Sequence, residues 1–410
     1  MTHFDEKTGD ITLKNRRYFT DLSDLSLVYK VEKNGKTLYE GCVESLVIPP
    51  NTEKNYSLSI PQNELRGNYC YLTLSFRTNR DDPWAEKGHE VGKEQIHLTG
   101  KTETHSTERT GALLIRETER SYTVTDRETV YTVDRFVGAI SSIRMGDKEL
   151  LVRPILPNLW RAPTDNDRIL RVEWQKKCFD RLKTDCRSLK WEKRESDEAI
   201  LVANMTMGVP SMSILADLTL SYHFAAGRGL TVTYEIRMRR SLDISLPRVG
   251  VLFSMPKEFD SLRYFGLGPV ESYSDKRLWA TVGEYESAVS DHFEHYIKPQ
   301  ENMAHDDTAW VEVKDKNGVG LWILSTDETP TYSFNCSNYT PMQLTKTDHD
   351  HELIPLEETV LCVDYRQCGI GSNSCGPALA EEYTLKNMSY RFSFRLLPVE
   401  EQNTDPFEEL

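Results

Sequence analysis

Positive charge is in short supply in this sequence, and long apolar runs are missing altogether. Across 410 residues, 50 Lys and Arg stand against 64 Asp and Glu, which gives a formal net charge of -14. Nucleic acids and anionic membranes bind clusters of Lys and Arg, so this balance argues against both as partners. No segment reaches the length of a membrane span, and the opening residues MTHFDEKTGD carry no signal-peptide core. We therefore expect a cytoplasmic protein that binds neither nucleic acid nor membrane.

Cysteine is also scarce. The eight cysteines are scattered through the chain without a close CxxC pair, so we expect neither a disulfide framework nor a zinc site. Two histidine pairs, His292 with His295 and His349 with His351, could each offer two ligands to a divalent cation. Two ligands are too few for a site, and the charged neighbours favour solvent-facing polar turns. The sequence therefore predicts no metal in this chain.

Several catalytic signatures are missing too. The segment GIGSNSCGP, residues 369–377, resembles a phosphate-binding loop but lacks its lysine and the helix that should follow. No GxSxG nucleophile elbow occurs, and the strand–helix alternation of a (β/α)8 barrel is absent. These gaps argue against a phosphate-loop enzyme, a serine hydrolase of this type and a barrel enzyme.

Strand patterns dominate what is present. LSLVYKVEKNGKTLYEG, residues 25–41, alternates apolar and polar positions around Asn34-Gly35, which predicts a β-hairpin. Only residues 169–186 have helical spacing. NYCYLTLSF predicts a strand whose inward face consists of Cys70, Leu72, Leu74 and Phe76.

These patterns predict an all-β chain with two domains. Residues 8–100 have the size and pattern of an immunoglobulin-like β-sandwich. Residues 101–120 are rich in Thr, Glu and Arg, which favours a linker. Residues 121–398 form one long series of strand patterns, too large for an ordinary sandwich. We expect an extended two-sheet architecture there, followed by a tail over 399–410.

Two acidic residues are the best internal candidates for glycoside hydrolysis, which requires a pair of carboxylates. Glu271 lies in GPVESYSDKR and Glu301 in KPQENMAHDD, each among turn and aromatic residues. The competing interpretation, which we favour, is that each is a buried carboxylate that accepts backbone N–H bonds and holds a loop in place.

Four longer blocks resemble a known family. GAISSIRMGDKELLVRPILPNLWRAPTDNDR (138–168), RYFGLGPVESYSDKRLWATVGEY (263–285), IKPQENMAHDDTAWVEV (297–313) and YRQCGIGSNSCGP (365–377) are similar, in order and spacing, to the small C-terminal domain of large β-galactosidases of glycoside hydrolase family 2. The segments GDITLKNRRYFTDLSDLSLVYKVEKNGKTLYEG and DDPWAEKGHEV resemble the immunoglobulin-like domain that precedes it.

The resemblance implies a fold for the second domain and a location for the catalytic residues. The second domain is expected to be a large β supersandwich, similar to the galactose-mutarotase fold. Both catalytic glutamates of the family lie in a TIM barrel outside this sequence, so no catalytic residue is carried over. The divalent cation and Na⁺ of the family are likewise expected only in the barrel, and no cofactor is expected here.

The resemblance also implies a place for this chain beside the sugar. A turn in the last third contributes to the rim of the substrate pocket, which puts Asn373, Ser374 and Cys375 at the rim. Some members carry a tryptophan that stacks on the sugar where this chain has Cys375, so a smaller contact is expected.

The segment NLWRAPTDND borders the same pocket by resemblance. Its polar residues Arg161, Asp165, Asn166 and Asp167 are expected to brace the turn behind the rim rather than to touch the substrate.

The expected function is therefore that of the C-terminal portion of a β-galactosidase. Its expected partners are a galactoside, the catalytic barrel or large subunit, and further copies of the chain through an exposed apolar face. Two alternatives remain open: a stand-alone mutarotase-like epimerase, and a carbohydrate-binding or assembly module without chemistry. The first would need a general acid and base converging on one concave face.

Overall fold

A computed structural model describes residues 1–65, 67, 69–99, 111–210, 212–400 and 405–410. The chain divides into two compact units. One comprises Met1–Ser106 with Thr281–Glu284, and the other comprises Thr107–Ala280 with Tyr285–Leu410. The described residues contain 26 strands and only two short α-helices, which confirms the all-β fold class.

Seven strands in the described residues before position 100 form two antiparallel sheets. They are β1 (His3–Asp5), β2 (Asp10–Lys14), β3 (Leu25–Lys33), β4 (Lys36–Val43), β5 (Glu53–Ser57), β6 (Cys70–Thr78) and β7 (Glu90–Leu98). One sheet has the order β1-β2-β5 and the other β4-β3-β6-β7. The β3–β4 turn places Asn34 and Gly35 at φ of 51° and 71°, as a two-residue type I′ hairpin requires.

The core of this first unit confirms the sequence pattern. Cys70, Leu72 and Leu74 on β6 are fully buried, as are Leu27 and Val31 on β3. Since side chains of a strand alternate between faces, the polar residues between them point away from this core. The unit is the predicted immunoglobulin-like β-sandwich.

The second unit contains both α-helices and the remaining strands, except that the first half of one strand, Thr281–Glu284, belongs to the first unit. The strands are β8 (Leu114–Glu117), β9 (Ser121–Asp126), β10 (Thr129–Asp134), β11 (Ala139–Met145), β12 (Lys148–Glu149), β13 (Arg153–Asn158), β14 (Lys183–Arg194), β15 (Glu198–Gly208), β16 (Ile214–Ala225), β17 (Gly229–Met238), β18 (Arg248–Pro256), β19 (Ser261–Gly268), β20 (Thr281–Ala288), β21 (His305–Thr308), β22 (Trp310–Lys314), β23 (Gly320–Leu324), β24 (Tyr332–Ser337), β25 (Glu358–Gln367) and β26 (Ser389–Val399). The helices are α1 (Leu170–Lys176) and α2 (Pro341–Lys346).

Three sheets build this unit. Nine strands have the order β14-β15-β16-β17-β26-β23-β22-β19-β20, five have the order β13-β18-β25-β24-β21, and five the order β12-β11-β10-β9-β8. Strand β16 alternates buried and half-buried residues over most of its length, whereas β18 is buried almost throughout because it lies inside its sheet and both its faces are covered. Side chains from all three sheets form one continuous core, which is the expected large β supersandwich.

Three details differ from the predicted domain boundaries. Strand β1 begins before residue 8, and β8, which pairs with β9, lies inside the predicted linker. Residues 101–110 of that linker lie outside the described residues. The predicted tail is also partly packed, because the ring of Phe407 lies 4.9 Å from that of Phe265 and 5.8 Å from that of Trp310.

The helix predicted over 169–186 is much shorter. Helix α1 ends at Lys176, Cys178 adopts a left-handed φ of 59°, and β14 begins at Lys183. A non-glycine residue at positive φ breaks the helical path. Helix α2, which the sequence did not predict, begins with Pro341 after Thr340, whose side chain accepts a bond from a backbone N–H of the first turn.

Candidate functional site

The segment NLWRAPTDND surrounds a buried ion pair. Arg161 is fully buried, and its Nη2 donates to both carboxylate oxygens of Asp167 at 2.8 and 3.0 Å. The same carboxylate accepts bonds from the backbone N–H and hydroxyl of Thr164, at 2.9 and 3.1 Å. Burial acts to lower the pKa of Arg161, but the Asp167 carboxylate raises it above its ordinary value. The pair holds the turn from within.

The predicted brace and the predicted rim meet in the structure. We use the name rim loop for residues 368–376. Arg161 donates to the first two carbonyl oxygens of this loop, at 2.5 and 3.2 Å. Asn166 donates to the carbonyl of Gly371 at 2.7 Å and accepts from the N–H of Ser374 at 3.2 Å. The side chains of NLWRAPTDND therefore shape the rim loop directly, over a sequence distance of about two hundred residues.

The remaining predicted residues lie at different places around the rim loop. Cys375 is exposed, and Asn373 lines a cavity of about 300 Å³ together with Asn166. The Asp165 side chain faces Gln300 instead, since its Oδ2 accepts a bond from Gln300 Nε2 at 3.4 Å. Contact of these residues with a sugar stays a prediction.

A second polar network, which the sequence did not predict, lies in the sheet that contains β18 and β25. Arg248 is fully buried and its Nε donates to Asp364 Oδ2 at 3.1 Å. Its Nη2 donates to Glu301 Oε1 at 3.2 Å and to Asn335 Oδ1 at 2.7 Å. Gln367 Nε2 donates to Glu301 at 3.1 Å. Burial raises the pKa of Asp364 to about 7 although Arg248 opposes the rise.

Both acidic candidates are paired with a cationic side chain. Glu301 is 5% exposed and is held by Arg248 and Gln367. Glu271 forms an ion pair with Lys276 and accepts the backbone N–H of Met303 at 3.0 Å. Glu271 thus accepts a backbone N–H bond as the competing interpretation predicted, whereas Glu301 is buried and bound by side chains.

The histidines correct one expectation. His292 was predicted in a solvent-facing turn, but it is 4% exposed and its ring lies 5.0 Å from that of the fully buried His305. Burial lowers the pKa of His292 to about 4 and that of His305 to about 3, so both are neutral near pH 7. Tyr264 packs against both rings. Such enclosed, neutral rings do not form the open acid–base pair that a mutarotase-like epimerase needs.

The described part of the chain was also searched for metal and membrane features. In it, no group of three or more His, Cys, Asp or Glu residues is placed to hold a metal ion. None of its helices combines the length and the apolar character needed to cross a bilayer.

Two family models match the two units. The model described as beta galactosidase small chain matches residues 125–396. The chain belongs to the β-galactosidase small-chain family. The model described as beta-galactosidase, domain 4, matches residues 11–99, so the sandwich and the supersandwich together correspond to the C-terminal part of a β-galactosidase.

Curated relatives agree with the family models. The chain is 31% identical to a beta-galactosidase of Actinobacillus pleuropneumoniae and 30% identical to one of Staphylococcus xylosus, over 95% and 94% of its own length. It is 26% identical to a beta-galactosidase of Kluyveromyces lactis over 95% of its length. The chain spans 38% of the length of the first two relatives and 36% of the third.

Two solved structures are similar to this chain at a low level. A putative aldose 1-epimerase from Escherichia coli K12 and a galactose 1-epimerase from Lactobacillus acidophilus cover 70% and 71% of this chain and 100% and 99% of their own, with TM-scores of 0.35 and 0.34 and identities of 11% and 7%. Similarity at this level carries no functional argument.

Some of these buried residues left a signal in the sequence. Asp364 follows the apolar run VLCV of β25, and a charge must be paired when it is buried. Arg248 likewise precedes the apolar run VGVLF. The signal identifies both residues as buried charges, but it does not say that they meet.

Proposed function

We propose that this chain serves in the hydrolysis of terminal β-D-galactosides such as lactose, as the portion that completes the substrate pocket. The rim loop carries the proposal. Cys375 of this loop is exposed, and side chains of NLWRAPTDND bind the loop backbone at four positions. A loop held so firmly is suited to present a fixed contact surface to a rigid ligand such as a pyranose.

Catalysis in this proposal comes from a barrel that supplies both carboxylates. Retaining hydrolysis needs two carboxyl groups about 5 Å apart on either side of the scissile bond. Glu271 and Glu301 are each paired with a cation, and we propose that neither serves as one of these two carboxyl groups. We propose that the divalent cation and Na⁺ are also bound by the barrel. This chain's residues would orient the sugar and exclude water, without taking or giving a proton.

The proposed partner is the barrel-containing part of the enzyme, in the same chain or in a separate large subunit. Several large apolar side chains of the second unit are exposed, including Leu278 at 96%, Ile297 at 85% and Ile354 at 75%. Apolar side chains of this size are often covered in an assembly. Association between copies of the chain is a further proposal.

The experiment that tests the function is hydrolysis of a chromogenic β-galactoside. Purified chain would be assayed alone and after mixing with a fragment that carries the barrel. We expect activity only in the mixture. Activity of the chain alone, abolished by Glu271→Gln or Glu301→Gln, would contradict the proposal. Turnover in neither sample, with association of the two parts verified by sedimentation, would also contradict it.

A further inference from the structure

The backbone of the rim loop is bound by side chains from two distant segments, the first of which is NLWRAPTDND. Arg161 binds the carbonyl groups at its start, and Asn166 binds a carbonyl and an N–H group near its middle. The second segment is the turn that contains Asp275. The backbone N–H of Ile370 donates to Asp275 Oδ1 at 2.8 Å, and that of Gly371 donates to Oδ2 at 2.7 Å.

The Asp275 contacts have the geometry of an anion-binding site made of backbone. Two consecutive N–H groups point at one carboxylate, one to each oxygen, and such groupings of backbone N–H favour a negative charge. Hydrogen bonds to an ionised acceptor are shorter and stronger than neutral ones, and 2.7 and 2.8 Å lie in that range. The charge of Asp275 therefore contributes to the conformation of the rim loop.

The glycines of the loop are adapted to this contact. A Cβ on Gly369 would lie 2.7 Å from Asp275 Cγ and 2.6 Å from Leu379 Cδ1, so any side chain there would push the carboxylate away. Gly371 has a φ of 66°, which other residues adopt at a cost. The glycines of GIG thus permit the close approach of a carboxylate, rather than of a phosphate.

The turn that carries Asp275 is itself fixed. Tyr273 and Lys276 exchange two backbone hydrogen bonds of 3.0 and 2.9 Å, and the Tyr273 side chain is buried. The two backbone N–H groups that donate to the Asp275 carboxylate belong to the rim loop and not to its own turn. Replacing the carboxylate should therefore leave the turn in place and release the loop.

We propose that Asp275 is a positioning residue for sugar recognition: its carboxylate holds Ile370 and Gly371 so that Asn373 and Cys375 meet the substrate in one arrangement. The inference rests on the proposed function, since it assigns a role within the same pocket rim. Asp275 acts through the loop and makes no contact with the reacting atoms.

The test uses Asp275→Asn, which keeps the shape of the side chain but removes its charge and turns one acceptor into a donor facing an N–H group. We expect amide hydrogen exchange at Ile370 and Gly371 to accelerate about tenfold or more, with exchange in β25 unchanged. In the galactoside-hydrolysing enzyme that contains this chain, KM should rise several-fold while kcat changes less than about twofold. Asp275→Glu keeps the charge, so its amide exchange rates and its KM should lie between those of Asp275→Asn and those of the parent.

The matched control is Asp217→Asn, which removes a carboxylate of an exposed ion pair with Arg239 and should alter neither the exchange of the rim loop nor KM. Unchanged amide exchange at Ile370 and Gly371 in Asp275→Asn would overturn the inference, whatever the values of KM and kcat. Faster exchange with an unchanged KM would overturn the link to the sugar. Absence of activity in the mixture of the unsubstituted chain with the barrel fragment would instead refute the proposed function. That result does not depend on the variant.

Discussion

Arg161 and Asp167 show how much a single buried pair contributes to this molecule. Both side chains are almost entirely withdrawn from solvent, at 0% and 1% exposure. We expect Asp167→Asn to lower the free energy of unfolding by about 3 to 5 kcal/mol, because it leaves the Arg161 charge buried without a counter-charge. Urea unfolding of parent and variant, followed by tryptophan fluorescence, measures the difference.

The exposed pair between Arg239 and Asp217 provides the comparison. These side chains are 46% and 47% exposed, and solvent-exposed pairs contribute about 0 to 1 kcal/mol. Asp217→Asn should therefore cost less than about 1 kcal/mol. Equal costs for the two variants would contradict the expected penalty for leaving the Arg161 charge buried without its counter-charge.

Strands β18 and β25 depend on a glycine at the point where the buried network crosses between them. Gly250 pairs with Asp364, and a Cβ on Gly250 would lie 2.0 Å from Asp364 Oδ1 and 2.5 Å from the carbonyl oxygen of Val363. We expect Gly250→Ala to destabilise the chain by about 1 to 3 kcal/mol, as overpacking of a core does. The shift of the thermal midpoint reports the effect.

Gly92 on β7 offers a matched strand glycine. No heavy atom lies within 4 Å of the position that its Cβ would take, so Gly92→Ala should change stability by no more than about 0.5 kcal/mol. If Gly250→Ala proved as mild as Gly92→Ala, the close contact between Gly250 and Asp364 would be refuted.

Burial of His292 makes a contribution to the free energy of unfolding that decreases as the pH falls below neutrality, whereas the raised pKa of Asp364 acts in the opposite direction. In the unfolded chain His292 takes up a proton near pH 6.5, whereas burial lowers its folded pKa to about 4. Between these values His292 binds more protons in the unfolded state, so its contribution to the free energy of unfolding decreases as the pH falls. Asp291 partly opposes the lowered pKa. The full contribution of His292 amounts to about 3 kcal/mol over that window.

The His292→Phe variant isolates this contribution. We expect its unfolding free energy to depend less steeply on pH between 6.5 and 4 than that of the parent, because the titrating group is removed. His351→Asn, which replaces an exposed histidine, should keep the slope of the parent. Parallel pH profiles for parent and His292→Phe would contradict the buried, neutral state of this ring.

Local sequence patterns were sufficient to predict strands and hairpins. They failed where an unusual backbone conformation ended a helix early. The hairpin at Asn34 and Gly35 and the inward face of β6 follow from residues that are adjacent in sequence. The helix over 169–186 did not form in full, since Cys178 adopts a left-handed φ that no periodicity reveals. The prediction that His292 faces solvent was also wrong, because charged neighbours in the sequence do not indicate which strands cover the imidazole ring in the fold.

By itself the sequence determined the all-β class, the two units, and the family, because alternation and motif order are properties of neighbouring residues. Only the tertiary structure decided which polar groups meet. Arg248 and Asp364 are 116 residues apart, and Asp275 lies 95 residues before Ile370. Partners of this kind are chosen by strand order and register, and a buried charge must find one because desolvation is costly. The sequence could say that each charge needed a partner, and the packing of distant strands selected it.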